Sequence, residues 1–276
     1  MTTRRDILDR LTAAAEPLYG AAEARQIARM VLSARTGATL TQMVVEPDAA
    51  AEIADLERIE REIAAARPVQ YVLGEAEFCG LTFEVGEGVL IPRPETEELV
   101  RRMADMRPAS LLDIGTGSGC IAVSAARLLP GAEVWAVDIS AEALAFARRN
   151  AARSGAEVRF VQADALRMPD LGRRFEAVAS NPPYIPLSER ESMRRNVTEY
   201  EPATALFVPD DDPLLFYRAI ARQAHRLLAP GGRLWFEVHE AFAADVAAML
   251  DGEGFAGTET YADINDKPRM VCSRIK

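Results

Sequence analysis

The sequence predicts an α/β protein in which a doubly wound sheet, with helices on both faces, follows a small N-terminal helical bundle. After Pro94, short apolar runs typical of strands alternate with helical patterns. Residues 1–70 are instead rich in Ala, Glu and Arg, and Tyr19 is their only aromatic residue. Between these regions, glycines interrupt an alternating apolar stretch, which indicates a β-hairpin. We therefore predict a helical domain over 1–73, a hairpin linker over 74–94 and a larger domain over 95–276.

Apolar spacing predicts the helices of the N-terminal bundle. Ile27, Met30 and Val31 give one helix an apolar side, and Gly37 is a suitable stop. A second helix is predicted over 49–66, because its apolar residues recur at three- and four-residue spacing. These residues form a single stripe: Ile53, Leu56, Ile59 and Ile63.

The alternation in the larger domain predicts a mostly parallel sheet with an antiparallel C-terminal edge. Strands are predicted at 110–114, 133–138, 158–162, 175–180, 232–238, 257–261 and 270–274. Helices are predicted at 121–129, 141–154, 213–228 and 242–250, and a further helix begins at Pro94. Asp212 is suited to cap the helix that follows it, with Pro213 in its first position. The last two strands follow each other without a helix, so we expect them to be antiparallel.

Composition excludes several classes of protein. The 32 Lys and Arg residues against 42 Asp and Glu give a net charge of −10, which offers no electrostatic basis for sequence-independent binding to phosphate backbones. Cys79, Cys120 and Cys272 lie far apart in the sequence beside only two histidines, so neither a disulfide framework nor a zinc site is expected. No apolar run approaches the roughly 18 residues that a membrane-spanning helix needs, and the charged first residues are not followed by the apolar segment of a signal peptide. We expect a reduced, cytoplasmic protein that binds neither metal nor membrane.

A glycine-rich loop follows the first strand of the larger domain. It reads Asp113-Ile114-Gly115-Thr116-Gly117-Ser118-Gly119, an acid two residues before GxGxG. A dinucleotide fingerprint needs a glycine one place after Gly119, where Cys120 stands, so the spacing suits a ligand without phosphates. Asp138, at the end of the second strand, is expected to accept hydrogen bonds from two ribose hydroxyls. Two alternatives stay open: the glycines form only a tight turn, and Asp138 only caps the next helix.

This loop and the following acid resemble the first two motifs of class I S-adenosylmethionine-dependent methyltransferases, which have a Rossmann-like sheet. The resemblance implies S-adenosylmethionine as cofactor and S-adenosylhomocysteine as product. It implies that the methionine part is bordered by Asp113, Gly115, Thr116, Gly117, Ser118 and Gly119. Asp138 then holds the ribose, Asp164 and Ala165 lie against the adenine, and Asn181 adjoins the cofactor. Taken alone, Asp164 fits equally well a loop acid that caps a turn.

A rigid polar loop, Asn181-Pro182-Pro183-Tyr184, follows the fourth strand of the larger domain. The two prolines fix φ at about −65° and remove two N–H donors. The Asn181 side-chain carbonyl and the Pro182 carbonyl are expected to accept both hydrogens of a planar NH₂ group, and so to favour a partly cationic nitrogen in the transition state. Tyr184 is expected to pack over the planar group. We therefore predict methylation of an amide or aryl amine, with Asn181, Pro182 and Tyr184 as catalytic residues.

Segments along nearly the whole chain resemble the HemK/PrmC glutamine methyltransferases, which modify the Gly-Gly-Gln loop of peptide chain release factors. These segments are Arg67-Pro68-Val69-Gln70-Tyr71, residues 89–97, residues 181–184, Tyr200-Glu201-Pro202, and Asp263 with Arg269. The resemblance implies a class I release factor as protein substrate and an N-terminal helical domain that helps to hold it. It implies a substrate-binding site formed by Asn181, Pro182, Pro183 and Tyr184. The chain departs from the family pattern at residues 207–213 and at Asp266, where family members usually carry glycines.

Three alternatives for the function stay open. A ribosomal-protein glutamine methyltransferase shares the Asn-Pro-Pro-Tyr loop, and so does an adenine amino methyltransferase acting on nucleic acid. The net acidic charge and the short helical bundle argue against the adenine amino methyltransferase, because direct binding of nucleic acid needs a basic face or a target-recognition domain. An inactive cofactor-binding scaffold is the third alternative, and the intact glycine loop and Asn181 argue against it. We expect a monomer, with Trp235 and Phe236 in the core and Glu201 fitting a loop acid.

Overall fold

The computed structural model describes residues 2–276, which fold into two compact units. The first unit comprises the residues up to Glu75 together with Arg194–Tyr200, and the second comprises Ala76–Met193 and Glu201–Lys276. Residues 194–200 thus return to the first unit, whereas the sequence-based division at residues 73 and 94 treats each domain as one continuous stretch.

The helices, in chain order, are α1 (Arg4–Thr36), α2 (Leu40–Val45), α3 (Leu56–Ala64), α4 (Val69–Leu73), α5 (Pro94–Asp105), α6 (Cys120–Leu128), α7 (Ala141–Ser154), α8 (Arg195–Thr198), α9 (Ala203–Leu206), α10 (Leu215–Leu227) and α11 (Ala243–Gly252). The strands are β1 (Glu75–Phe78), β2 (Leu81–Glu84), β3 (Ser110–Ile114), β4 (Glu133–Asp138), β5 (Val158–Gln162), β6 (Phe175–Ser180), β7 (Ile185–Pro186), β8 (Phe207–Val208), β9 (Leu228–Glu237), β10 (Ala256–Ala262) and β11 (Pro268–Arg274). Short 3₁₀ turns lie at Leu187–Ser192 and Glu240–Phe242.

The long helix α1 of the first unit has clear local signals at both ends. At its start, the Asp6 amide donates to Thr3 Oγ1 at 3.2 Å and the Thr3 amide donates to Asp6 Oδ2 at 2.8 Å, which forms a capping box. Gly20 adopts non-helical angles (φ 74°, ψ 163°) and kinks the helix. Gly37 ends it in the left-handed region (φ 72°), which confirms the predicted stop.

The apolar side predicted for this helix is wrong at one position. Ile27 and Val31 are buried, whereas Met30 is 42% exposed. Met30 lies about 100° around the helix from Val31, at the margin of the apolar stripe. An apolar residue at that margin does not reach the core.

The helix predicted over 49–66 is also wrong in its first part, because α3 begins only at Leu56. Residues before it pair instead with the chain that leads into α1. The Arg4 amide donates to the Ala49 carbonyl and the Ala51 amide donates to the Thr2 carbonyl, both at 3.0 Å. The first amides of a helix have no partner within it, so this non-helical segment satisfies one of them. The predicted stripe is buried nevertheless: Ile53, Leu56, Ile59 and Ile63.

The β-hairpin predicted over 74–94 is confirmed in its first half, where β1 and β2 are joined by a two-residue turn, and is wrong for residues 85–93, which form no strand. Both turn residues, Cys79 (φ 50°) and Gly80 (φ 72°), have the left-handed backbone that such hairpins require. The Cys79 amide donates to Glu97 Oε1 of α5 at 2.9 Å. Glu97 therefore fixes the hairpin turn.

The second unit is built on a seven-stranded sheet with the order β10-β11-β9-β6-β3-β4-β5. Neighbouring strands from β9 to β5 are parallel, whereas β11 is antiparallel to both β9 and β10. This arrangement confirms the predicted doubly wound sheet with its antiparallel C-terminal edge. Strands β4 and β5 are added on one side of β3, whereas β6 and β9 are added on the other. The strand order thus reverses between β3 and β6, and open α/β sheets bind ligands at such a point.

The core of the second unit explains why its central strands are almost continuously apolar. All five residues of β3 are buried, as are five of the six in β6, because helices cover both faces of the sheet. Trp235 and Phe236 of β9 are 2% and 0% exposed, which confirms their prediction as core residues. No helix within residues 2–276 combines the length and the apolar composition needed to cross a bilayer.

Two local predictions around α10 are wrong. Asp212 does not cap the helix, which begins at Leu215 without a side-chain cap. The Asp212 carboxylate instead accepts from both terminal nitrogens of Arg218, at 2.9 and 3.1 Å, and this ion pair engages the oxygens that a cap would use. Strand β9 begins at Leu228 rather than at residue 232, because Leu228 pairs with Phe175 of β6.

Candidate active site

Polar side chains collect at one edge of the sheet, where five parallel strands end. This carboxyl edge carries Asp113 in β3, Asp138 at the end of β4, Asp164 after β5, Asn181 after β6 and Glu237 at the end of β9. The carboxyl ends of parallel strands meet on the same side of a sheet, so the topology brings these residues together although they are far apart in sequence. Four of the five are sequence-predicted site residues, and Glu237 is not.

The three glycines of the loop after β3 have different surroundings. All have left-handed backbones, with φ 75° at Gly115, 55° at Gly117 and 84° at Gly119. A Cβ at Gly115 or Gly117 would have no atom within 4 Å, whereas one at Gly119 would lie 3.0 Å from Ala147 Cβ of α7. The first two glycines therefore border open space that a ligand can enter, and the third allows α6 and α7 to pack closely.

Asp138 is held at the edge by two backbone donors. Its Oδ2 accepts from the Gly117 amide at 2.8 Å and its Oδ1 accepts from the Ser140 amide at 2.9 Å. The cap of α7 is Ser140, whose Oγ accepts from the Ala143 amide at 3.1 Å, so the alternative of Asp138 as that cap is wrong. A carboxylate oxygen has two lone pairs, so each Asp138 oxygen keeps one acceptor position for a ligand.

Asp113 lies completely buried beneath the glycine loop. Its Oδ2 accepts from Thr116 Oγ1 at 2.5 Å and from the Ala122 amide at 3.2 Å, which fixes the loop to the start of α6. Its Oδ1 is buried without a hydrogen-bond partner among residues 2–276, and so is the Ser118 hydroxyl. Burial raises the pKa of Asp113 to about 7.

The loop after β5 is anchored by local bonds and by α10. Asp164 Oδ1 accepts from the Leu166 amide at 2.8 Å, so Asp164 caps this turn through one of its two carboxylate oxygens. The Ala165 carbonyl accepts from Gln223 Nε2 at 2.5 Å. Sequence reasoning did not single out two exposed apolar side chains at this part of the carboxyl edge, Ile139 (60% exposed) and Leu166 (38%). The available signal for Ile139 was its position directly after Asp138, the acid that ends β4.

The loop after β6 presents a side-chain amide of defined direction. Asn181 is half-buried, and its Nδ2 donates to Thr96 Oγ1 of α5 at 3.4 Å. Pro182 is buried beside it. Tyr184 is half-buried, its hydroxyl donates to Glu237 Oε1 at 3.4 Å, and its ring lies 6.0 Å from that of His239.

Glu237 and Thr96 are the site residues that sequence reasoning missed. Both are buried, and Thr96 Oγ1 donates to Glu237 Oε2 at 2.5 Å. The Tyr217 hydroxyl donates to the Glu237 backbone carbonyl at 3.1 Å. Burial is the main cause that raises the pKa of Glu237 to about 7. An acid at the end of the apolar strand around Trp235 was the available signal.

An ion pair between a partly exposed arginine and a buried glutamate supports the segment that leads into α5. Arg93 Nη2 lies 2.6 Å from Glu201 Oε1, and the Ile91 amide donates to Glu201 Oε2 at 3.1 Å. The Glu201 side chain is only 1% exposed. The interpretation of Glu201 as a mere loop acid is therefore wrong: it fixes the backbone at Ile91 and the side chain of Arg93, which directly precedes α5.

The second unit is similar in fold to known methyltransferases. A family profile described as "Methyltransferase domain" matches residues 111–200, which contain the glycine loop and Asn181. The solved structure of a methyltransferase from Pyrococcus furiosus superposes with a TM-score of 0.52 at 19% identity, and the match covers 71% of this chain and 89% of that one. The second unit thus has the Rossmann-like fold of the methyltransferase class.

Relatives with more similar sequences narrow that class. A release factor glutamine methyltransferase of Flavobacterium psychrophilum is 41% identical over 83% of this chain and 84% of its own length. Another, of Bacteroides thetaiotaomicron, is 46% identical over 79% of each chain. The chain belongs to the family of release factor glutamine methyltransferases.

Proposed function

We propose that this protein transfers a methyl group from S-adenosylmethionine to the side-chain amide nitrogen of the glutamine in the Gly-Gly-Gln motif of peptide chain release factors. The observation that carries the proposal is the direction of the Asn181 amide at the carboxyl end of β6. Its Nδ2 donates to Thr96, so its Oδ1 is the atom left to accept from a substrate NH₂ group. The names of the relatives supply the identity of the protein substrate.

The residues of the carboxyl edge fit S-adenosylmethionine. The open space at Gly115 and Gly117 admits a ligand against the backbone, and Asp138 keeps acceptor positions for two ribose hydroxyls. The methionine part would lie along the loop from Asp113 to Gly119, including Thr116 and Ser118. Asp164 and Ala165 would border the adenine, and the exposed Ile139 adds an apolar surface. When bound, the cofactor supplies an electrophilic methyl group and leaves as S-adenosylhomocysteine.

Asn181 and Pro182 act on the substrate nitrogen by holding both of its hydrogens. The Asn181 Oδ1 and the Pro182 carbonyl accept one hydrogen each, which orients the nitrogen toward the methyl group. Positive charge develops on that nitrogen as the new carbon–nitrogen bond forms, so both acceptors bind the transition state more strongly than the ground state. Pro183 keeps the loop stiff, because its ring fixes φ.

The reaction needs no strong base before the transfer. The amide nitrogen becomes acidic only after it carries the methyl group, and it then releases its proton to water. Tyr184 stays protonated because burial raises the pKa of its phenol, so its role is to pack beside the planar amide. Asn181, Pro182 and Tyr184 are therefore the proposed catalytic residues.

The partners follow from the charge and from the family. A net charge of −10 supports action on a protein rather than direct binding of nucleic acid. We propose that the enzyme works as a cytoplasmic monomer and that its first unit helps to hold the release factor. A ribosomal protein glutamine is the second candidate substrate, because the same amide acceptors fit it. Adenine in nucleic acid is the third, since its amino group is also planar.

The experiment is methyl transfer from labelled S-adenosylmethionine to a full-length release factor, with mass spectrometry to locate the methyl group. We expect one methyl on the Gly-Gly-Gln glutamine with the wild-type enzyme and a rate at least about 10² lower with Asn181→Ala, the size of effect seen when one stabilising group of a transition state is removed. Both enzymes should bind S-adenosylhomocysteine. An unmodified glutamine with the wild-type enzyme would contradict the proposal.

A further inference from the structure

We infer that Thr96 and Glu237 are positioning residues that fix the Asn181 amide with Oδ1 toward the methyl acceptor and Nδ2 away from it. The inference rests on the proposed function, in which Asn181 accepts a hydrogen from the reacting nitrogen. It adds two residues, on α5 and β9, whose proposed role is exerted through Asn181. They act through a chain of hydrogen bonds from Glu237 to Thr96 to Asn181.

The orientation of Asn181 matters because the two ends of a side-chain amide have opposite hydrogen-bonding character. Oδ1 accepts and Nδ2 donates, and a rotation of 180° about the terminal bond exchanges them. With Nδ2 toward the substrate, two NH₂ groups would face each other. Such a contact would repel the amide nitrogen and would oppose the positive charge that develops on it. The active orientation therefore needs a group that recognises Nδ2.

Thr96 is suited to recognise Nδ2 because its only hydroxyl hydrogen is already engaged. That hydrogen points to Glu237 Oε2 across 2.5 Å, so toward Asn181 the Thr96 oxygen has only lone pairs. The Nδ2 of Asn181 lies 3.4 Å away and donates to it. A flipped amide would place Oδ1 against Oγ1, two acceptors without a hydrogen between them. Thr96 thereby selects one of the two orientations.

Glu237 sets the direction of the Thr96 hydroxyl. An ionised carboxylate only accepts, and here it accepts from Thr96 on Oε2 and from Tyr184 on Oε1. Its side chain is completely buried, so water does not compete for these oxygens. A protonated Glu237 would carry a hydrogen of its own and could donate it to Thr96. The Thr96 hydrogen would then be free to turn toward Asn181 and to favour the flipped amide.

The orientation is thus coupled to the titration of Glu237. The titratable and charged groups around this carboxyl come from every element packed against it: Glu95 on α5, Tyr184 after β6, Tyr217 on α10, Arg269 on β11 and Cys120 on α6. Burial and Glu95 raise its pKa, whereas Arg269, Thr96 and Tyr184 lower it, and the net result is about 7. The ionised form, and with it the active orientation, gains population as pH rises through that value.

The first test compares Thr96→Val with Thr96→Ser in the full-length enzyme. Valine keeps the branched shape but removes the hydroxyl, and serine retains the hydroxyl. We expect kcat on the release factor to fall about 10- to 100-fold in Thr96→Val, while the KM and the affinity for S-adenosylhomocysteine stay within about twofold of the wild type. Thr96→Ser should recover most of the kcat. Equal kcat values for wild type and a folded Thr96→Val would overturn the inference.

A second readout observes the amide itself and does not depend on the substrate. The side-chain NH₂ signals of Asn181 are identified in a nitrogen-15 NMR spectrum by their loss in Asn181→Asp. We expect them to shift in Thr96→Val and to stay near their wild-type positions in Thr96→Ser. If the wild-type enzyme leaves the release factor unmodified, the proposed function fails. Unchanged Asn181 signals in Thr96→Val would overturn the inference.

The third test follows kcat against pH in the wild type and in Glu237→Gln. Glutamine keeps an acceptor for Thr96 but does not titrate. We expect the wild-type kcat to rise through about pH 7 and the Glu237→Gln profile to lose that inflection, with a lower plateau. A profile of unchanged inflection in Glu237→Gln would assign the titration to another group and overturn the role of Glu237.

Discussion

Replacing Gly119 by alanine separates the structural glycine of the loop from those that border the ligand. An alanine Cβ there would lie 3.0 Å from Ala147 Cβ, 3.1 Å from the Ala147 backbone and 3.3 Å from Val123 Cγ2. Left-handed backbone costs an L-residue about 1–2 kcal/mol, overpacking costs about 1–3 kcal/mol, and the stiffer unfolded chain returns less than about 1 kcal/mol. We expect a loss of about 2–4 kcal/mol in the free energy of unfolding.

Gly117→Ala and Gly131→Ala are the matched comparisons. Both positions are left-handed (φ 55° and 87°), and neither would bring a Cβ within 4 Å of another atom, so each should lose only the backbone cost, about 1–2 kcal/mol. Gly117 borders the proposed cofactor space, whereas Gly131 lies in an exposed turn before β4. We expect Gly117→Ala alone of this pair to weaken binding of S-adenosylhomocysteine, by about tenfold or more, which is about 1.4 kcal/mol or more.

Urea denaturation followed by tryptophan fluorescence measures these stabilities, because the tryptophans lie in the same compact unit as the loop. The only two tryptophans, Trp135 on β4 and Trp235 on β9, belong to the sheet. Calorimetry with S-adenosylhomocysteine measures the binding. Equal stability losses in Gly119→Ala and Gly131→Ala would refute the packing argument, and wild-type affinity in Gly117→Ala would refute the placement of the ligand on this loop.

Three further outcomes are expected. Asp138→Ala should weaken S-adenosylhomocysteine binding by about 100-fold or more in calorimetry, because it removes two proposed hydrogen bonds to a charged acceptor, each worth about 1.5–3 kcal/mol. Unchanged affinity would remove Asp138 from the proposed cofactor site. Arg93→Ala should lower the unfolding free energy by about 3–5 kcal/mol, because it leaves the Glu201 carboxylate buried without its ion-pair partner. Glu201→Gln should cost less, because the partly exposed Arg93 stays in contact with water. The reverse order of the two losses in urea denaturation would contradict this. Burial raises the pKa of Glu237 from its ordinary 4.5 to about 7, so between these pH values the folded state retains a proton that the unfolded state releases. The unfolding free energy should therefore fall as pH rises from about 4.5 to about 7 and level off above, and this fall should be less steep in Glu237→Gln. Parallel curves for the two proteins would exclude Glu237 as the source.

The central strands could be predicted from sequence because their signals are local. The predicted bounds of β3, β4, β5 and β6 coincide with those of the structure. Burial of β3, β4 and β6 requires mostly apolar residues, and glycine, proline or polar residues end each run, whereas β5 is an edge strand without a buried residue. The glycine loop and Asn181 could be predicted as candidate site residues for a related reason, since they follow directly on those strands.

The features that sequence missed depend on contacts between distant residues. Residues 49–55 belong to the predicted helix, but the carbonyls of Pro47 and Ala49 accept from the first amides of α1, and this segment is not helical. Thr96 and Glu237 are separated by 141 positions, so no local sequence pattern shows that they form a hydrogen bond. Glu201 likewise pairs with Arg93 across 108 positions. A buried acid in such a place has a recognisable meaning only when its partner is known.

A competition experiment tests the central claim most directly. The enzyme, with labelled S-adenosylmethionine, receives a full-length release factor, ribosomal protein and an adenine-containing oligonucleotide together, and mass spectrometry locates every methyl group. We expect methylation of the Gly-Gly-Gln glutamine alone, with loss of the signal in Asn181→Ala. Preferential methylation of the ribosomal protein or of adenine would contradict the assignment of the release factor as substrate.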